Sequence, residues 1–243
     1  MSKVRESTVK YFKHTNTLLY SYLISLPLLV MYEILIYVSQ PDPTSTVRIS
    51  VDVWIKTLFS YVGSDILSIT LIVIALLGII ILYKERDRLS TLKPSYFLGM
   101  VFESFIYAIG LALLLGLIVG ALVQIMQPGT LETLTTLQQI ALSLGAGLYE
   151  ELFFRVLLVS GLLYLFKRFM TKKGLAFAAA IIIAALLFSL VHYIGALGDP
   201  FTFGSFLFRF LFGLALNALY IWRGFGIAAW THAIYDIMIV IFG

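Results

Sequence analysis

Long apolar runs separated by short polar stretches organise the chain. A membrane-spanning helix needs about 20 mostly apolar residues, and seven stretches reach that length: 17–39, 65–83, 96–124, 135–166, 175–193, 203–222 and 225–242. Residues 66–83 and 175–191 carry no charge at all. The fourth stretch is too long for one straight crossing: at about 1.5 Å per residue it would run about 48 Å, against an apolar core of about 30 Å. Gly145 and Gly147 therefore mark a bend, or a break that makes an eighth, partial helix. Pro27 is placed to kink the first span. The expected fold is all-α: a polytopic transmembrane helical bundle of seven spans with room for an eighth partial helix. The first apolar run lies in from the start and lacks a small-residue cleavage site, so it reads as a retained helix rather than a signal peptide.

Residues 47–62 fit two periods. Val47, Val51, Trp54, Ile55, Leu58 and Val62 make a helical stripe, and alternate residues from Val47 to Ile55 also fit a strand. A helix on the membrane surface is favoured, because Trp54 and Tyr61 suit the interface. An ordinary packed loop is the alternative.

Composition agrees with a membrane protein. Of 243 residues, 60% are hydrophobic and 12% charged, where soluble domains have about 45–50% and about 25%. The absence of cysteine excludes disulfides, thiolate metal sites and cysteine nucleophiles. The formal charge of +4 is spread over loops, with no basic block of the kind that binds nucleic acid. Lys and Arg alternate between loops. Lys3, Arg5, Lys10 and Lys13, then Lys84, Arg86, Arg88 and Lys93, then Lys167, Arg168, Lys172 and Lys173, then Arg223 fall on one side. Only Arg48 and Lys56 fall on the other. This predicts a multi-pass protein of the cell membrane with a cytoplasmic N-terminus.

One membrane domain, 1–243, accounts for the chain. Residues 1–16 form a basic cytoplasmic tail in which His14 is expected to be solvated. Residues 17–130 are less specific spans, and 135–243 hold the candidate chemistry.

Ionisable groups within spans cost at least about 2.5–3.5 kcal/mol each on insertion scales. Seven are kept: Glu33, Glu103, Glu150, Glu151, Arg155, Arg209 and Asp236, together with His192 and His232. On a helix Glu151 and Arg155 are four apart and can neutralise each other. Glu150 is five from Arg155 and is left without a partner, which suits a general base. Phe188 and His192 share a helix face, as do His232 and Asp236. Arg209 is expected to face the site or a lipid phosphate, and Glu33 and Glu103 to pair with Arg209 or line the cavity. Counted from the basic ends, Glu150 and His192 lie about 25–27 Å up, and His232 and Asp236 lower, at about 10–16 Å, unless the turn at Arg223–Gly224 sits deeper or the last span tilts.

These motifs, EExxxR at Glu150 to Arg155, FxxxH at Phe188 to His192 and HxxxD at His232 to Asp236, fall in order on three late spans. In that order they resemble the CAAX protease and bacteriocin-processing (CPBP) family, whose best-known branch is the Ras-converting CAAX endopeptidase. The likeness covers roughly 141–243. It implies an intramembrane endopeptidase in which Glu150 activates water and His192 holds that water. His232 and Asp236 bind the developing oxyanion, and Glu151 and Arg155 brace the site. The CAAX endopeptidase branch commonly has Asn where this chain has Asp236. An ionised Asp cannot donate a hydrogen bond, so Asp236 acts either protonated or by orienting His232. The resemblance favours a site without cofactor, although Glu150, His192, His232 and Asp236 would make a chemically acceptable zinc set.

The expected partners are the lipid bilayer and a peptide or membrane-protein substrate, with no nucleic acid. Candidate substrates are a lipid-modified tail, a peptide leader or a membrane-protein segment. A non-enzymatic bacteriocin-immunity or scaffold protein is the alternative. A proton- or ion-coupled transporter ranks last, because no related halves are visible.

Overall fold

The computed structural model describes residues 3–40, 47–60, 66–120, 134–194 and 198–242. Among these there is no strand. The helices are α1 (Lys3–Thr15), α2 (Leu18–Ser39), α3 (Ser50–Ser60), α4 (Ile66–Lys84), α5 (Pro94–Gly120), α6 (Thr136–Gly145), α7 (Ser160–Phe169), α8 (Lys173–Val191), α9 (Phe203–Arg223) and α10 (Phe225–Phe242), with a 3-10 turn at Arg86–Thr91. The expected ends at 61–62, at Asp65 and at 121–124 lie outside the described residues.

The caps explain several helix starts. Thr17 accepts from the Tyr20 N–H, Thr202 accepts from the Ser205 N–H, and Thr135 forms a reciprocal capping box with Gln138. Each satisfies donors that the first helical turn leaves unpaired. Of the two periods in 47–62 the helical one is formed, as α3, with Trp54 edge-on to Phe153.

Helices Leu18–Ser39, Lys173–Val191, Phe203–Arg223 and Phe225–Phe242, and α5 over Pro94–Ile118, are long and apolar enough to cross a membrane. α4 adds a shorter apolar segment at Ile72–Lys84. The chain is therefore a helical, multi-pass membrane protein.

The fourth apolar stretch does not break. α6 runs through two π-helical segments, Ala146–Glu150 and Leu152–Val159, into α7. Bonding from i to i+5 puts more residues in each turn, which absorbs part of the excess length. Gly145 and Gly147 sit where the α-helix passes into the first π segment, and they also serve packing. A Cβ on Gly145 would sit 2.5 Å from Tyr32 Cε2, and one on Gly147 would sit 2.5 Å from the Ala229 carbonyl oxygen. The two glycines let α2 and α10 close on the π turn.

α10 is the central element, packed on α2, α5, α6, α9 and the first π segment. Its buried Gly226, Ala228, Ala229 and Ala233 keep that approach close. Ala176, Ala180 and Ala184 do the same on α8. Small side chains at helix contacts are how membrane bundles gain van der Waals packing without a hydrophobic drive.

Three charge clusters replace the pairings expected. Glu33 binds Arg48 at 3.0 Å and Lys56 at 3.4 Å, and both cations also meet the buried Asp52. Arg209 binds Asp199. Glu103 binds Arg223, which lies at the α9–α10 turn. Neither Glu33 nor Glu103 pairs with Arg209, because each has a cation nearer in its own end of the bundle.

The Arg223 cluster also corrects the depth of His232. Arg223 is almost fully buried, donating to Glu103 from Nε at 2.6 Å and from Nη2 at 2.9 Å, and to Thr15 at 2.8 Å. Tyr11 and Tyr107 also donate to Glu103. Burial, reinforced by the Glu103 carboxylate, pushes the Tyr11 phenol up, so it remains a donor. The tail is thus a helix that covers the turn, and His14 is half-buried against Tyr96. Glu103 is nine residues beyond Pro94, so the turn is sunk about 14 Å from that helix end. Nine more residues raise His232 to about 27 Å, level with Glu150.

Candidate active site

The structure brings all six expected residues together, at the end of the bundle opposite α1. Glu150, Glu151 and Arg155 come from the π-helical stretch, His192 from the end of α8, and His232 and Asp236 from α10.

His232 is the hinge of the group. Its Nδ1 donates to Glu151 Oε1 at 2.7 Å, and its Nε2 lies 3.4 Å from Asp236 Oδ2. Glu151 Oε1 is also 2.9 Å from Arg155 Nη1, off the hydrogen-bonding direction of that nitrogen. Glu151 and Arg155 are fully buried. Arg155 lies over the Phe188 ring, 4.5 Å from its centroid. One carboxylate therefore faces both a guanidinium and an imidazole.

His192 follows the last residue of α8 and is fixed by its own helix. Its Nδ1 is 2.7 Å from the Phe188 carbonyl oxygen, which as an acceptor only assigns the proton to Nδ1. Nε2 then presents a lone pair or a second N–H toward Glu150 Oε2, 3.9 Å away. That gap is too long for a direct hydrogen bond and within reach of one bridging water. Glu150 Oε2 is buried and has no hydrogen-bond partner among the described residues. The side chains of His192 and Asp236 are 24% and 31% exposed, against 4% for His232. The site therefore opens past His192 and Asp236, while His232 forms its floor.

Two features were not readable from spacing. Phe188, the first residue of FxxxH, reaches beyond its own helix: its ring stands edge-on to Phe154 and His232, and Arg155 lies over it. The Glu151–His232 bond joins residues 81 apart in sequence. No local period could show it, although the pairing of two buried polar types on different spans was a signal of the right kind. Among the described residues, no group of three or more His, Asp or Glu side chains is arranged to hold a metal ion.

No curated protein and no solved structure matches the chain. Residues 132–238 match the family described as Rce1-like, type II CAAX prenyl endopeptidase Rce1-like. This segment contains every residue of the site, so the likeness to that family covers the candidate chemistry.

Proposed function

We propose that the protein is an intramembrane endopeptidase that cleaves a membrane-associated or lipid-modified peptide with a water activated by Glu150. The observation that carries this reading is the facing of Glu150 Oε2 and His192 Nε2 across 3.9 Å, with His192 Nδ1 already committed to Phe188. A water in that gap donates one hydrogen to Glu150 and meets His192 with its remaining valence.

In the reaction the water oxygen attacks the peptide carbonyl carbon, and its proton passes to Glu150. The carbonyl oxygen gains the negative charge and is met by His232. With Glu151 at 2.7 Å from Nδ1 and Asp236 at a looser 3.4 Å from Nε2, the doubly protonated ring keeps its Nδ1–H on Glu151 and turns its Nε2–H from Asp236 to the oxyanion as the charge develops. Asp236 accordingly acts by orienting His232. The C–N bond then breaks as Glu150 returns its proton to the leaving amine. The same reading takes the helices as seven spans with the N-terminus in the cytoplasm, α4 and the π-containing stretch being the two added crossings. It needs no metal, since Glu150 itself supplies the base.

The test compares wild type with Glu150→Gln, expressed equally in a host lacking the native copy, by mapping new peptide termini in membranes and medium. Termini that appear only with wild type support the reading and identify substrates. No difference between two folded proteins contradicts it and favours an immunity or scaffold role.

A further inference from the structure

His192 has a backbone problem that its ring contacts do not solve. It follows the last residue of α8, where helix carbonyls lack intrahelical partners. Its carbonyl oxygen accepts from the Asp199 N–H at 2.9 Å. Asp199 is held in turn through its carboxylate, which binds Arg209 Nη2. Arg209 donates its other arm to Ser205 Oγ at 2.7 Å and lies over the Tyr193 ring, 5.1 Å from the centroid. Tyr193 closes the circle, its hydroxyl 2.6 Å from Ser205 Oγ. The Arg209–Asp199, Arg209–Tyr193 and Tyr193–Ser205 contacts link the first turns of α9 to the segment that follows α8, on the side where the site opens.

We infer that Arg209 and Asp199 form a clasp that positions His192 for the water it shares with Glu150, making Arg209 a positioning residue rather than a catalytic one. The inference rests on the proposed use of His192. A guanidinium suits the task because its planar fork bonds Asp199 and Ser205 at once while stacking on Tyr193. No other bond among the described residues is made by the Arg209 side chain, so its buried cost is compensated within the clasp. Loss of either charge frees Asp199, then the His192 carbonyl, and the 3.9 Å gap to Glu150 is no longer held.

Two measurements on the full chain test this. The first uses a fluorogenic prenylated CAAX peptide in micelles, with Arg209→Met, Asp199→Asn and the double variant, each checked for an unchanged melting temperature. The clasp predicts that kcat falls about ten-fold or more with KM within about three-fold, and that the double variant is no worse than the poorer single. Additive losses, a change confined to KM, or unchanged kcat would overturn it. The second needs no activity. The chain has no cysteine, so His192→Cys gives a single thiol whose maleimide labelling reports how firmly that position is held. Labelling should rise several-fold when Arg209→Met or Asp199→Asn is added. An unchanged rate overturns the clasp. Failure of wild type to cut the peptide counts against the proposed activity on that substrate, and the labelling result still decides the clasp.

Discussion

His232 Nδ1 lies 2.7 Å from Glu151 Oε1, so the second glutamate of the pair holds a catalytic candidate on another helix. Glu151 thus has two obligations, one to Arg155 four residues on and one to His232. Breaking a buried pair by removing one partner costs about 3–5 kcal/mol, whereas replacing both with apolar groups is often neutral. Glu151→Leu should lower the melting temperature sharply and abolish cleavage. Adding Arg155→Met should restore much of the stability but not activity, because His232 still lacks its Nδ1 partner. Thermal unfolding in detergent and peptide cleavage, measured on the same preparations, separate the two effects.

The Arg223–Glu103 pair makes a different prediction, because it lies at the far end of the bundle from the site. Arg223 is bidentate to Glu103 and tied to α1 through Thr15. Glu103→Gln leaves a nearly buried guanidinium undercompensated, with an expected loss of about 3 kcal/mol. Cleavage should fall as well, since the turn that sets the height of His232 is released. An unchanged melting temperature would show that α1 and α5 do not clamp the turn.

Glycine positions in the π-containing stretch can be tested as a pair. A Cβ on Gly147 would meet Ala229 and Ala233, whereas one on Gly161 meets nothing within 4 Å. Gly147→Ala should destabilise by about 1–3 kcal/mol through overpacking against α10. Gly161→Ala should be neutral or stabilising by up to about 1 kcal/mol through helix propensity. Equal effects at the two sites would contradict the close approach.

Much of this arrangement was legible in the sequence because it is local or periodic. Apolar run length predicted α2, α5, α8, α9 and α10. The four-residue spacings placed Arg155 with Glu151, Phe188 with His192 and His232 with Asp236, and the structure keeps all three. Glu150 was singled out because nothing at i+4 neutralised it. The depth of His232 is not legible in the sequence, because residue counting cannot tell a surface turn between α9 and α10 from a deeper one. Only the burial of Arg223 by α1 shows that the turn is sunk. The packing use of Gly145 and Gly147 is not legible for a related reason: glycine can permit a bend or permit contact, and spacing within one helix does not show what lies against it.

Activity without a metal is a separate expectation of the mechanism. If Glu150 alone supplies the base, protein stripped with a chelator should keep its activity on the prenylated peptide, with less than one zinc per chain by elemental analysis. One stoichiometric zinc, with activity lost on stripping and restored by zinc, would move Glu150 and His192 from water activation to metal ligation.

Whether Glu150 delivers water directly to the peptide bond is tested most directly by single-turnover cleavage in oxygen-18 water, with wild type and Glu150→Gln side by side. General-base participation is worth about 10²–10⁴-fold, so Glu150→Gln should lose at least that while keeping its melting temperature. Wild type should place one heavy oxygen in the new product carboxylate and none in the Glu150 side chain. Heavy oxygen in Glu150, or cleavage by Glu150→Gln at the wild-type rate, would contradict the account.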